Sequence, residues 1–176
     1  MIKSPLSPPR TAVEAFKLLP EGVNCQVIEN VIYMSPAPFY EHQRLIIIIA
    51  SKIHEYVTAG MLGECTPAPV DVYLDENNAF QPDIVFILKE NLSIVKGGKV
   101  NGAPDMVIEI LSKGSKEFDL GKKKAAYEKS GVKEYFAVDQ MTKEVQGFYL
   151  KKNRYEAQPK VKGKIVSKLL KKTFRF

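Results

Sequence analysis

Apolar and polar positions change rhythm several times along the chain, and each change predicts an element. Val13, Phe16 and Leu19 recur at helical spacing behind Thr11 and Glu14, a capping-box pair, which predicts a short helix over residues 12–19 ended by Pro20, Glu21 and Gly22. Cys25–Ile28 and Val31–Met34 are short runs rich in Val and Ile, separated only by Glu29 and Asn30, and this predicts a hairpin with a type I′ turn. Between Tyr40 and Thr58 the positions Leu45, Ile46, Ile49, Ile53, Tyr56 and Val57 form a helical stripe, although four consecutive isoleucines also suit a buried strand. Further strands are expected at Val70–Asp75 and Gln81–Ile87, then a glycine-containing loop (Gly97, Gly98, Gly102), then a hairpin from Val145 to Leu150 and Tyr155.

The most informative stretch is Pro104 to Asp139. It reads as a buried strand, a Gly/Ser loop, a lysine-rich helix starting near Asp119 as N-cap, and a second strand. Short strands alternating with helices, the central strands almost continuously apolar, predict an α/β or α+β domain whose mixed sheet is covered on both faces. Residues 1–10, with three prolines, are expected to be a flexible lead-in, and residues 11–176 one domain with a basic hairpin or tail at 151–176.

Charge placement adds to this picture. Residues 151–176 carry ten Lys or Arg against the single acid Glu156, so the overall +6 leaves about −3 on the first 150 residues. Such a tail either attracts phosphates or is a solvated edge that resists aggregation. Two cysteines without a CxxC, no apolar leader and no apolar run long enough to cross a bilayer point to a reducing, cytoplasmic location.

Candidate chemistry centres on Glu109, a carboxylate between Ile108 and Ile110 that needs a partner or a cation to be buried there. Asp105 lies four residues earlier on the same strand, about 13 Å away at ~3.3 Å per residue, which is too far to share an ion. Asp83 opens a different strand and can lie at ~5 Å if the two strands are neighbours. Two carboxylates meeting in an apolar sheet suit a hard cation, Mg²⁺ or Mn²⁺; the alternative is structural, with Asp83 capping a turn and Glu109 paired with a helix lysine. On the helix, Leu120 and Tyr127 define an inward face that Lys123 and Lys124 both flank, and spacing does not choose between them. His42 and His54 lack any metalloprotease spacing, and no Walker, dinucleotide or serine-hydrolase motif is present.

The blocks VIENVIYMSPAPFYEHQ, QPDIVFI, GAPDMVIEILS and FDLGKKKAAYEKSGVKEYFAVD together resemble the Uma-two family of restriction endonucleases, within the PD-(D/E)xK nuclease superfamily. The resemblance implies a restriction-endonuclease-like fold and a metal-dependent DNA endonuclease acting as a homodimer. It implies metal binding by Asp83, Glu109 and the backbone carbonyl of Ile110, with Lys123 as the active-site lysine four residues before Tyr127. The superfamily usually carries that lysine two residues after the glutamate, where this chain has Leu111. His42 aligns with a histidine often seen in the family. Gln26 stands where a glutamate is common, and Glu29-Asn30 where Asp-Gly is usual. An oxygen without negative charge at Gln26 weakens a cation site, so the alternative function is an inactive nuclease fold that serves as a DNA-binding or protein-interaction module.

Overall fold

The computed structural model describes residues 8–20 and 22–176. The part of the expected lead-in at residues 1–7, and Glu21 at the end of the first helix, lie outside the described residues. In chain order the elements are α1 (Ala12–Phe16), β1 (Cys25–Ile28), β2 (Val31–Met34), α2 (Tyr40–Ala59), β3 (Gly63–Pro67), β4 (Val72–Tyr73), β5 (Ala79–Phe80) and β6 (Ile84–Leu88). A 3₁₀ turn (Lys89–Ile94) leads to β7 (Val95–Lys96), β8 (Lys99–Asn101) and β9 (Met106–Leu111). Next come α3 (Lys116–Phe118), a π turn (Asp119–Lys123) and α4 (Lys124–Ser130), which follow one another without a break. The remaining strands are β10 (Glu134–Asp139), β11 (Glu144–Lys151), β12 (Arg154–Ala157), β13 (Val161–Lys162), β14 (Lys164–Ser167) and β15 (Lys172–Arg175).

The central sheet has the order β12-β11-β10-β9-β6-β3, with β13 also paired to β11. It is mixed: β9 and β10 run parallel, while β6 lies antiparallel to β9 on the other side. A parallel neighbour requires a crossover, and the helical stretch from Lys116 to Ser130 supplies it. Because strand side chains alternate, β9 sends Ile108 and Ile110 to one face and Val107, Glu109 and Leu111 to the other. The first face packs under α2, on Leu45, Ile49 and Ile53, and is closed by Ile165, Leu170 and Phe174 of the β14–β15 region. The second is covered by Ala126 and Tyr127 and by Ile28, Val72 and Phe80 of a smaller sheet ordered β2-β1-β5-β4-β8-β7.

Several expectations hold. Thr11 caps α1, its hydroxyl accepting the Glu14 N–H at 3.1 Å. Glu29 and Asn30 have φ of 50° and 62°, as a type I′ turn requires. The isoleucine run is helix: Ile46 and Ile49 are buried while Ile47 is exposed, the 3.6-residue rhythm rather than alternation.

Other expectations need correction. α1 ends at Phe16 rather than residue 19, and the strand expected at Val70–Asp75 shrinks to Val72–Tyr73, with the Asp71 carboxylate on Lys99 at 2.8 Å and Gln81 at 2.9 Å. The loop around Gly97 and Gly98 is itself the turn of the β7–β8 hairpin. Asp119 is not an N-cap: helix begins at Lys116, after a turn in which Ser112 and Ser115 bond each other's backbone N–H at 3.1 Å, and Asp119 is buried inside the helical stretch. Leu120 is only partly buried, and the inward residues are Asp119, Lys123, Ala126 and Tyr127.

Candidate active site

The site forms where the β6–β9 ladder stops. The register pairs Ile84 with Ile108 and Val85 with Val107, which sets Asp83 opposite Glu109 and Pro82 opposite Ile110. The main-chain groups of Ile110 point toward β6, since its N–H meets the Asp83 carboxylate. Pro82 has no N–H to return. The Ile110 N–H goes to Asp83 Oδ2 at 2.7 Å, and the Ile110 carbonyl, on the same strand edge, therefore receives no ladder donor from position 82. Asp83 and Glu109 fall at a position where the backbones exchange no hydrogen bonds, the closer of the two antiparallel spacings.

The α2 N-terminus brings His42 to this edge, its Nε2 3.3 Å from Asp83 Oδ2. Burial works against a charge on His42, but Asp83, the Ile110 carbonyl and Glu109 outweigh it and raise the imidazole above its ordinary value.

Glu109 is buried beneath the helical crossover. Its Oε1 accepts from Lys123 Nζ at 2.6 Å and from the Tyr127 hydroxyl at 2.7 Å. Lys123 also reaches Asp119 Oδ1 at 2.9 Å, and its ammonium lies 5.7 Å from the centre of the Phe80 ring. Only 4% of the Lys123 side chain is exposed, so one buried cation serves two buried carboxylates. Burial pushes the Glu109 carboxyl above its ordinary range; Lys123 opposes that shift, and Asp119 and Asp83 add to it. Burial likewise opposes the charge on Lys123, but Asp119 and Glu109 hold the ammonium above its usual value. Burial and the neighbouring Glu109 carry the Tyr127 phenol well above its usual value. All these directions agree that the site holds its protons tightly.

The structure therefore brings Asp83, Glu109, Lys123, Tyr127, Asp119, His42 and the Ile110 backbone to one place. It separates Lys123 from Lys124, whose ammonium instead sits 5.0 Å from the centre of the Phe148 ring. Gln26 shares the β1 face with Ile28, which packs in the cluster containing Phe80 and Tyr127, but no side-chain hydrogen bond joins it to the site among the described residues. Asp105 is committed elsewhere, accepting from the Leu88 N–H at 2.8 Å and from Lys133 at 2.7 Å. Spacing pointed to Asp119 only as a cap. Its i, i+4 relation to Lys123 is the signal that finds its role as partner of that lysine.

The donor set fits a hard cation on one specific count. Both hydrogen bonds to Glu109 fall on Oε1, and both contacts to Asp83 fall on Oδ2, so Glu109 Oε2 and Asp83 Oδ1 accept from no protein donor among the described residues. No group of three or more His, Cys, Asp or Glu side chains among those residues could hold a metal on its own. A site here thus depends on the two free carboxylate oxygens, the Ile110 carbonyl and water, the mixture that Mg²⁺ tolerates.

A family model described as "Uma2: Putative restriction endonuclease" matches residues 13–170. No curated protein matches. Among solved structures, "a putative nuclease belonging to DUF820" from Anabaena variabilis ATCC 29413 superposes with a TM-score of 0.71 at 21% identity, over 85% of this chain and 84% of that one. At that identity the likeness speaks for the fold alone. With the family model covering nearly the whole chain, the protein belongs to the Uma2 family.

Proposed function

We propose that the protein is a Mg²⁺-dependent (or Mn²⁺-dependent) endonuclease that hydrolyses phosphodiester bonds in DNA. The observation that carries this reading is the pair of carboxylate oxygens, Asp83 Oδ1 and Glu109 Oε2, that no protein donor among the described residues engages, beside the ladder-free carbonyl of Ile110. When bound, the cation would polarise a phosphoryl oxygen and lower the pKa of water. Asp83 and Glu109 would hold it, with the Ile110 carbonyl as the third protein ligand.

Lys123 orients Glu109, presenting its other oxygen outward, and keeps positive charge beside a phosphate that gains negative charge during attack. Tyr127 donates to the same carboxylate oxygen, and Asp119 holds the ammonium in place. His42 fixes Asp83 and, when protonated, moderates its charge. In-line attack by water on a strand positioned this way breaks the bond to the leaving oxygen. Cutting two strands calls for a homodimer, which sedimentation of the native protein would reveal. Reduced Cys25 and Cys65, both free, suit a cytoplasmic setting.

A plasmid-nicking assay with Mg²⁺ or Mn²⁺ tests the reading. Asp83→Ala should abolish the cutting seen with the native protein, and equal cutting by both sinks it. Gln26, and the lack among the described residues of a third side chain placed to hold a metal, favour a second reading, an inactive fold that binds DNA or a protein. Calorimetric titration with Mn²⁺ separates the two, because the inactive fold shows no saturable binding.

A further inference from the structure

On the same face of the sheet as Glu109 there is a cavity of about 270 Å³ on the other side of β9 from Asp83. Its floor is Leu111, two residues beyond Glu109 and therefore ~6.6 Å along the strand, together with Ala137 of β10 and Phe148 of β11. Leu120 and Lys124 close it from the helical crossover. Leu111 thus links it, along the same face of β9, to Glu109.

The charges on its rim are not balanced. Asp139 faces Lys116 at 3.8 Å, and Glu144 takes Lys160 at 2.7 Å. Lys124 has no carboxylate within ion-pair distance among the described residues and rests over the Phe148 ring. One cation inside the cavity is thus left over, above an apolar floor. The volume lies below the roughly 300–1,000 Å³ of pockets that enclose drug-sized ligands, which limits the occupant to one small anionic unit.

We infer that this cavity binds the phosphate and sugar of a nucleotide neighbouring the scissile phosphate, with Lys124, assisted by Lys116, on the phosphate and with Leu111 and Leu120 against the sugar. Lys124 covers the aromatic face of Phe148, so the site takes backbone rather than a stacked base and reads no sequence. The inference deepens the nuclease reading and rests on it.

The test measures binding of fluorescent single-stranded and duplex oligonucleotides, with EDTA present to prevent hydrolysis, from 50 to 200 mM salt. Lys124→Ala should weaken binding about fivefold at low salt for every sequence tried and reduce the slope of log affinity on log salt by about 0.7 for single strands or 0.9 for duplex, the loss of one phosphate contact. Lys124→Arg should restore both. Lys116→Ala, at an exposed position, is the second variant should Lys124→Ala fold poorly, and it should move the slope in the same direction. Unchanged affinity and slope in both alanine variants overturn the subsite while the nicking assay still stands or falls on Asp83. A native protein that binds no DNA overturns it as well.

Discussion

Replacing Lys123 with Met removes one charge while keeping much of the buried aliphatic stem, and it exposes the logic of the buried cluster. Glu109 and Asp119, each 3% exposed, then share a pocket without their cation. Removing one partner of a buried pair costs about 3–5 kcal/mol, because the charge left behind is uncompensated. For a chain of this size each kcal/mol shifts the midpoint by roughly 2–4 °C, so Lys123→Met should melt about 6–20 °C below the native protein at pH 8. The deficit should depend on pH. Burial already raises the folded Glu109 carboxyl above its unfolded value, and loss of Lys123 removes the charge that opposes this. A carboxyl raised in the folded state favours folding below its unfolded value of about 4.3, and that advantage is lost as pH rises through the folded value. Acidification from pH 8 to 5.5 should therefore shrink the gap between variant and native protein, read by calorimetry or circular dichroism in parallel. Adding Glu109→Gln to Lys123→Met should recover part of the loss. A deficit under about 2 °C, or one that grows on acidification, would refute the reasoning.

Two further outcomes follow from packing. At Gly63 (φ 152°) a Cβ would sit 2.1 Å from the Ile87 carbonyl oxygen across the β3–β6 pair, so Gly63→Ala should cost about 3 kcal/mol or more in urea unfolding, and an unchanged midpoint would contradict the close approach. Burial pushes the Cys65 thiol up to about 12, and Cys25, 1% exposed, is also raised, by burial and then by Asp71; neither should react with a thiol reagent at pH 8 until denaturant is added, whereas rapid labelling of either would show the native burial to be wrong.

Much of the site was legible because strands obey a period of two. Once Asp83 and Glu109 are placed on neighbouring strands, parity alone decides whether they share a face, and the distance argument against Asp105 needed no structure. What could not be read was phase on the helix. Asp119, Asp-Leu-Gly after a Gly/Ser loop, has the local chemistry of a cap, while the actual start depends on the reciprocal bonds between Ser112 and Ser115, which precede it in the chain. Spacing counted from Leu120 leaves Lys123 and Lys124 equivalent, at i+3 and i+4 on the inward face, and the π turn at Asp119–Lys123 adds a residue to one turn that no sequence spacing announces. The pairing of Glu134 with Ser167 is long-range and leaves no local pattern at all.

That last contact bears on the order in which the protein folds. Glu134, at the start of β10, accepts from the Ser167 hydroxyl at 2.6 Å and from the Lys168 and Leu169 N–H groups at 2.7 and 2.8 Å, while Tyr56 of α2 bonds the Leu170 carbonyl across 114 residues of chain. The hydrophobic floor under α2 is thus finished by a segment synthesised long after α2 itself. Until Ile165, Leu170 and Phe174 arrive, a nascent chain carries an isoleucine-rich helix with one side uncovered. Contacts so distant in sequence slow folding, and they leave that intermediate open to chaperones and to aggregation during translation.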